Sequence, residues 1–386
     1  MNDVQVKELE HLITGAIAPH LGEGASIYSG DVDVTIKHDE KQKKGKIWVG
    51  IPEPSPLLIN DALMDKLTTI LTTVGFPLIT VFPPDGLTLV DTHSSDLATR
   101  RALEWDFIEG AYTRVAYDSF DSICPIEIGQ KYYVPLMRGY NMAFDDLGNT
   151  QNHTVFSGPS GSGKSVAAMV MLSAMINPIK KWNGKDYVMT NRKLADELIV
   201  ISPKNDKNLY DFCQKHDITP MVPTGHGFVA NVIEKLNLLL ELCQQRQAKI
   251  IKGVSPAIMP YKVLYLDEGL YLSQLTRDRK QRQELDSMLT SLLIIARSAK
   301  VIIVITSQTM SDQVLNTSAR DQLNNRLLFG NPNGPSDSTR FLFKNWHNQL
   351  VIHHDDYSFG TGIASMESNG GRMVSFLSPF IKEIAQ

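Results

Sequence analysis

The sequence predicts an α/β architecture: a doubly wound, mainly parallel sheet with a smaller α+β domain ahead of it. Three observations carry the prediction. TVFSGPSGSGKSVAAMVML, Thr154 to Leu172, reads as an apolar strand, a Gly/Ser-rich loop and an apolar helix. YKVLYLDEGLYL contains a near-continuous apolar run, Val263 to Leu266, that ends in Asp267 and Glu268. VIIVITSQ, Val301 to Gln308, opens with the apolar run Val301 to Ile305 and ends in the polar tip Thr306, Ser307 and Gln308. Continuous apolar runs are what strands buried on both faces require, and strands alternating with helical segments point to a parallel sheet.

The loop of the first segment has a chemical reading. Gly158, Gly163, Lys164 and Ser165 match G-x-x-x-x-G-K-S between a strand and a helix, the setting a phosphate-binding loop needs. The stretch Gly158, Pro159, Ser160, Gly161, Ser162, Gly163, Lys164 and Ser165 is therefore expected to wrap a nucleotide's phosphates. Its glycines let backbone N–H groups turn inward, and the helix N-terminus adds the positive end of its dipole. Lys164 is expected to reach the β- and γ-phosphates of ATP, and the Ser165 hydroxyl to ligate Mg²⁺.

The second strand supplies the complementary acids. Asp267 stands at the C-terminal edge, where open α/β sheets place ligands, and is the expected second Mg²⁺ partner. Glu268 fits the base that orients and deprotonates a water. Two adjacent carboxylates can divide the metal and water roles, which a lone Asp cannot. On the third strand, Gln308 is positioned to sense the γ-phosphate or place that water.

Composition sets the outer bounds. The chain has 386 residues, 42% hydrophobic and 21% charged, with a net charge of −4, the profile of an ordinary globular protein. Contact with nucleic acid must then come from a local basic surface and not from overall charge. Cys124, Cys213 and Cys243 are far apart and share no metal spacing, so no disulfide framework is expected. The acidic, polar N-terminus does not read as a signal peptide. Leu67 to Pro83 is interrupted by Thr, Gly75 and Pro77 and does not read as a membrane span. The expected location is cytoplasmic, with no direct membrane insertion.

Along the chain, Val4 to Leu21 has helical spacing, Val32 to Ile36 and Ile47 to Ile51 read as strands, and the Lys-rich EKQKKGK between them as a turn. That turn is read as a solvated hairpin tip before a phosphate contact. Leu57 to Val74 is expected to be helical, Leu78 to Phe82 a strand, and Leu97 to Glu109 another helix. Residues 1–120 thus form the expected α+β domain and 121–386 the motor domain. Ile126 to Gly129 and Tyr132 to Leu136 read as strands feeding the phosphate-loop strand. Glu197 to Ser202 is a buried strand, and Gly227 to Ile251 a long amphipathic helix stopped by Gly253. Leu285, Met288, Leu289 and Leu292 mark a further helix. His353, His354, Asp355 and Asp356 have metal-binding side chains, but neighbours on a strand point to opposite faces, so a polar hairpin is expected. Arg277 to Arg282 reads as a charged helix start before a pore-facing patch.

Taken together, the chain resembles the FtsK/SpoIIIE family of hexameric DNA-translocating ATPases over about Ile123 to Ile381. NHTVFSGPSGSGKS resembles the family's lead into its phosphate loop. ISPKNDKNL resembles the D-P-K strand, with Ser202 in place of Asp, and VLYLDE matches the Asp-Glu strand. IARSAKVIIVITSQTM resembles GRAxGIHLILATQRP, with Arg297 at the Arg position, Ser307-Gln308 standing for Thr-Gln, and Thr309-Met310 in place of Arg-Pro. DQLNNRLLFGN and SFLSPFI resemble later strands, the last as in versions carried by plasmids and integrative elements. Lys180 to Lys193 reads as an insertion.

The resemblance implies a P-loop NTPase of the RecA-like, ASCE kind. It also implies a homo-oligomeric ring, six subunits with ATP sites between neighbours, and DNA as partner. In versions from mobile elements, relaxase and transfer-channel proteins are further partners. An arginine from one subunit would complete the next site, with Arg326 the first candidate and Arg297 and Arg340 behind it. No transmembrane helices or winged-helix DNA reader are recognised. The leading expectation is DNA translocation in conjugative transfer, followed by viral genome packaging. A secretion ATPase that moves protein is a second class. A non-hydrolysing switch is a third, which Glu268 disfavours.

Overall fold

A computed structural model describes residues 1–21, 32–50, 61–82, 84, 89–95, 100–111, 113–137, 140–145, 152–224, 227–276, 278–312, 314–330, 337–343, 359–366 and 373–384. The chain divides into one compact unit built on Met1–Thr113 and another built on Arg114–Trp346, Asp356–Gly371 and Phe376–Gln386.

The first unit is α+β. Helix α1 (Asp3–Leu21) precedes strands β1 (Asp33–Asp39) and β2 (Lys44–Gly50). Helix α2 (Asp61–Gly75) follows, then β3 (Ile79–Phe82), β4 (Leu89–Asp91) and β5 (Arg101–Glu109). The strands form an antiparallel sheet ordered β1-β2-β5-β3, with β4 also paired to β5. Leu9, Ile13 and Ile17 at helical spacing pack with Ile47, Leu67, Leu71, Trp105 and Phe107 into one core.

Here the structure corrects the expected helix over Leu97 to Glu109: the segment from Arg101 is strand β5. Leu103, Trp105 and Phe107 are buried at every second position, the period of a strand and not of a helix. Full burial of each such aromatic side chain contributes about 2–3 kcal/mol. The Trp105 indole N–H also donates to Thr68 Oγ1 at 2.9 Å.

The second unit holds the phosphate loop. In chain order it runs β6 (Ala116–Tyr117), β7 (Ile126–Ile128), β8 (Lys131–Met137), β9 (Tyr140–Asp145), β10 (Thr154–Ser157), α3 (Lys164–Ile176), β11 (Lys180–Trp182), β12 (Tyr187–Met189) and β13 (Ala195–Ile201). It continues through α4 (Lys207–Lys215), α5 (Phe228–Ile251), β14 (Tyr261–Leu266), α6 (Gly269–Gln274), α7 (Arg279–Ile295), β15 (Val301–Ser307), α8 (Thr317–Arg320) and β16 (Asn325–Phe329). The last elements are α9 (Asp337–Leu342), β17 (Thr361–Ser365), β18 (Met373–Leu377) and β19 (Phe380–Ile381).

The main sheet has seven strands ordered β13-β14-β15-β10-β16-β17-β18. The run from β13 to β16 is parallel, and β17 joins antiparallel to β16. The expected α/β, mainly parallel P-loop fold is thus present. Strand β15 lies between the phosphate-loop strand β10 and the acid-bearing strand β14, so its C-terminal residues stand beside both. Helix α3 has ten buried residues among its thirteen, from Lys164 to Met175, and packs on β10, β13 and β15. That explains why it reads as apolar all round rather than amphipathic.

One further expectation is revised. Strands β7 and β8 do not feed the main sheet. They belong to a separate five-stranded sheet ordered β12-β11-β7-β8-β9, because the antiparallel β7–β8 turn pairs them with each other. The segment Lys180 to Lys193, read from the sequence as an insertion, contains the β11–β12 hairpin, which extends this sheet from its β7 edge.

Among the described residues no helix is long and apolar enough to cross a membrane, and no group of three or more His, Cys, Asp or Glu side chains could hold a metal ion. Residues 353–356 and Arg277 lie outside the described residues. The three cysteines are buried and unpaired with one another.

Candidate nucleotide site

The phosphate loop leaves β10 with backbone conformations that side chains resist. Gly158 has φ 149° and Gly163 has φ 100°. A Cβ on Gly158 would lie 2.8 Å from Phe329 Cβ, and one on Gly163 would lie 3.0 Å from the Gly360 backbone. Both positions therefore need glycine for space as well as for φ. The Gly158 N–H donates to the Ser307 carbonyl at 3.2 Å, and the Gly360 N–H to the Ser162 carbonyl at 2.8 Å. The loop is thus pinned from β15 on one side and from the turn before β17 on the other. Pro159, Ser160 and Gly161 are exposed. The Ser162 hydroxyl is buried with no hydrogen-bond partner among the described residues, although buried polar groups are normally paired.

Lys164 opens α3 and is only 6% exposed. Burial pulls its ammonium pKa down, and Glu268 pulls it back up, with Lys204 working against and Asp267 and Asp206 working with Glu268. A buried cation facing two buried acids without an ion pair to either is an arrangement that an anionic ligand would complete. Ser165 follows on the first turn, half-buried.

Asp267 and Glu268 follow directly on β14, each 5% exposed. Thr306 Oγ1 donates to Asp267 Oδ1 at 2.9 Å, Ser202 Oγ donates to Oδ2 at 3.0 Å, and the Tyr265 hydroxyl reaches Oδ1 at 3.3 Å. Both carboxylate oxygens are therefore oriented by neutral hydroxyls from β14, from β15 and from the residue that follows β13. Burial pushes the Asp267 pKa up, and the Thr306 and Ser202 hydroxyls draw it part of the way back.

Glu268 adopts φ 52°, ψ 62°, a left-handed conformation that costs a non-glycine residue of order 1–3 kcal/mol and clusters at functional sites. Two bonds, from the C-terminal end of β15 and the residue after it, hold it there. Its N–H donates to Thr306 Oγ1 at 3.1 Å, and its Oε1 accepts from the Gln308 N–H at 2.8 Å. Beside it opens a cavity of about 650 Å³, with Lys204, Asn205, Tyr271 and Gln308 among its walls.

The structure thus brings together Asp267, Glu268 and Gln308 at the sheet edge that carries the phosphate loop, and puts Lys164 in the field of both acids. It does not bring the three arginines there. Arg326, on β16, donates through Nε to the Leu323 carbonyl and through Nη1 to the Leu342 carbonyl, both at 2.7 Å. Burial lowers its pKa. Arg297 lies on the exposed turn before β15, at the opposite edge of the sheet, where its charge helps to hold down the pKa of buried His153. Arg340 is exposed on α9.

The hydroxyls of Ser202, Tyr265 and Thr306, and the Gly360 support, were not legible as site residues. Each is an ordinary residue at a strand end or turn until pairing registers set it against Asp267 or the loop. The one available signal was the polar tip after a run of buried apolar residues at Thr306.

The residues fit a Mg²⁺-bound nucleotide by their own chemistry. A glycine loop at a helix N-terminus, an unsatisfied buried hydroxyl, a buried lysine and a pre-oriented carboxylate match phosphate oxygens and a hard cation.

No protein-family model matches the chain. It is 24% identical over 237 residues to the DNA translocase FtsK of Lactiplantibacillus plantarum. The match covers 56% of this chain and 27% of that protein, so the chain spans about a quarter of the curated relative's length. Among solved structures it is similar to the pCW3 conjugation coupling protein TcpA, monomer form with ATPγS. There the TM-score is 0.52 at 14% identity, covering 98% of this chain and 97% of that one. The likeness to FtsK/SpoIIIE-type proteins read from the motifs is therefore present in sequence, and the likeness to TcpA in fold.

Proposed function

We propose that this chain is an ATPase that couples hydrolysis to the movement of DNA, in the manner of a coupling protein for conjugative transfer. The observation that carries the hydrolytic part is the fixed pair Asp267–Glu268, buried at the phosphate-loop edge and clamped from β15 through Thr306 and the Gln308 N–H. The DNA part is supported by the similarity to a DNA translocase over 237 residues.

In this reading Gly158 to Ser165 hold the phosphates, and Lys164 supplies the cation facing the terminal phosphate. Ser165 and Asp267 would hold Mg²⁺, which when bound neutralises phosphate charge and polarises the phosphoryl group. Glu268 is the general base. The Gln308 N–H occupies Oε1, which leaves Oε2 to accept a proton from the attacking water. The left-handed backbone at Glu268 keeps the carboxylate at the cavity. The ring of six subunits, with an arginine supplied by a neighbour, belongs to the same proposal. So do the relaxase and transfer-channel partners.

The test is steady-state ATP hydrolysis by the purified chain with Mg²⁺ and with EDTA, in the absence and presence of DNA. Mg²⁺-dependent turnover that DNA stimulates is the expected result. Turnover that ignores DNA and responds to a secreted protein substrate would replace the reading with a secretion ATPase.

A further inference from the structure

The net charge of −4 means that any DNA contact needs a local basic surface, and the second unit carries one outside the nucleotide site. The β11–β12 hairpin and its flanks hold Lys180, Lys181, Lys185, Arg192 and Lys193 against the single acid Asp186. Lys181 and Arg192 share Glu127, at 2.9 and 3.7 Å. Lys180, Lys185 and Lys193 pair with no acid among the described residues.

The hairpin also exposes aromatic surface that no packing explains. Trp182 and Tyr187 are 50% and 49% exposed. They face each other across the strands as the last pair before the turn, edge to face with ring centroids 5.2 Å apart. The turn beneath them is fixed. Asn183 Oδ1 accepts from the Lys185 and Asp186 N–H groups, both at 2.9 Å, and the Asn183 N–H donates to the Asp186 carbonyl at 3.1 Å. Gly184 supplies the left-handed step at φ 101°. The aromatic pair is thus held rigidly in solvent, with cations on both faces of the hairpin, since Lys180 shares the Trp182 face and Lys181 the other.

We propose that this hairpin is a single-stranded DNA contact, in which Lys180, Lys185 and Lys193 meet phosphates and Trp182 and Tyr187 stack on unpaired bases. The proposal rests on the DNA reading above and names a surface for it. Preformed aromatic faces next to cations are the recurring means of binding a strand without regard to sequence. A purely apolar protein partner would leave the unpaired cations without a counter-charge, whereas phosphates supply one.

The test uses the full chain and a fluorescently labelled oligo(dT), read by anisotropy across a salt series. Trp182→Ala with Tyr187→Ala should weaken binding by about tenfold or more. Trp182→Phe with Tyr187→Phe should retain most of the affinity, because the stacking faces remain. Lys180→Ala with Lys185→Ala should flatten the salt dependence. All these side chains are at least partly solvent-exposed, so thermal melting should be unchanged. Lys41→Ala with Lys43→Ala, on the β1–β2 turn, should have no comparable effect. Wild-type binding that the aromatic variant preserves would overturn the hairpin proposal alone, as would an equal loss on blunt duplex of the same length. A changed oligomeric state with unaltered DNA affinity would also overturn it, in favour of a subunit contact. A wild-type chain that binds no DNA would overturn both this proposal and the DNA reading.

Discussion

The Thr306 hydroxyl donates to Asp267 Oδ1 at 2.9 Å and, with its lone pairs, accepts the Glu268 N–H at 3.1 Å. One side chain on β15 therefore fixes both acids at the end of β14, the carboxylate of one and the backbone of the other. Thr306 is completely buried, so water cannot replace it. Thr306→Val keeps the shape and removes both bonds. A hydrogen bond to a charged group contributes about 1.5–3 kcal/mol, so turnover should fall roughly tenfold to a hundredfold, with a higher Mg²⁺ requirement. Thr306→Ser should restore most of it. Val and Ser variants with equal kinetics would remove the positioning role.

Lys164 and Glu268 should separate binding from chemistry. Lys164→Ala is expected to lose nucleotide affinity and turnover together. Glu268→Gln keeps the acceptor for the Gln308 N–H and should bind ATP normally, while losing about 10²–10⁴-fold in turnover as a lost general base would. Equilibrium binding of a fluorescent ATP analogue beside single-turnover hydrolysis checks both. Near-normal turnover in Glu268→Gln would end its assignment as base.

How much of this was legible follows from where each signal resides. The phosphate loop and the Asp267-Glu268 strand are local patterns, and the chain folds there as read. The helix expected over Leu97 to Glu109 failed because Leu103, Trp105 and Phe107 alternate at period two, and the central place of β5 in its sheet decided the matter. Whether β7 and β8 join the main sheet depends on non-local pairing, which no local pattern encodes. The clamps on Asp267 come from Ser202 and Thr306, 65 and 39 positions away in sequence. Only the parallel register of β13, β14 and β15 brings them to one carboxylate.

The arginines divide by what they already touch. Arg326 is committed to two carbonyl oxygens of its own chain. Arg326→Ala should therefore destabilise the second unit by about 3 kcal/mol, through lost charge-assisted bonds. That corresponds to roughly 6–12 °C in melting temperature for a unit of this size. Exposed Arg340→Ala should melt within about 0.5 kcal/mol of wild type. If Arg340 acts in a neighbour's site, its alanine variant should bind ATP, hydrolyse it poorly and regain activity when mixed with Lys164→Ala subunits. Thermal melting and a mixing series separate the two residues. An Arg326→Ala chain that melts normally and loses only hydrolysis would return Arg326 to the role across subunits.

Buried His153 should give the second unit an acid-side stability limit. Burial, and then the charge of Arg297, lower its pKa from 6.5 to about 4. Between these values the unfolded chain binds the proton and the folded chain does not. Stability is thus full above about pH 6.5 and falls as pH drops toward 4, by about 3 kcal/mol in all. Asp267, with its pKa raised by burial, acts in the opposite sense above its ordinary value. Urea unfolding from pH 7.5 to 4.5 should show the decline, and His153→Asn should flatten it. An identical slope in that variant would remove His153 as the cause.

DNA-stimulated ATP hydrolysis across a salt series decides whether turnover at this site is coupled to DNA. With phosphate contacts supplied by a local basic surface, stimulation should fall steeply as salt rises, because each contact releases counterions. Different sequences of equal length should stimulate alike, because backbone contacts carry no base information. A Mg²⁺-dependent ATPase whose rate is the same with and without single- or double-stranded DNA, at low salt and in its assembled form, would contradict the account.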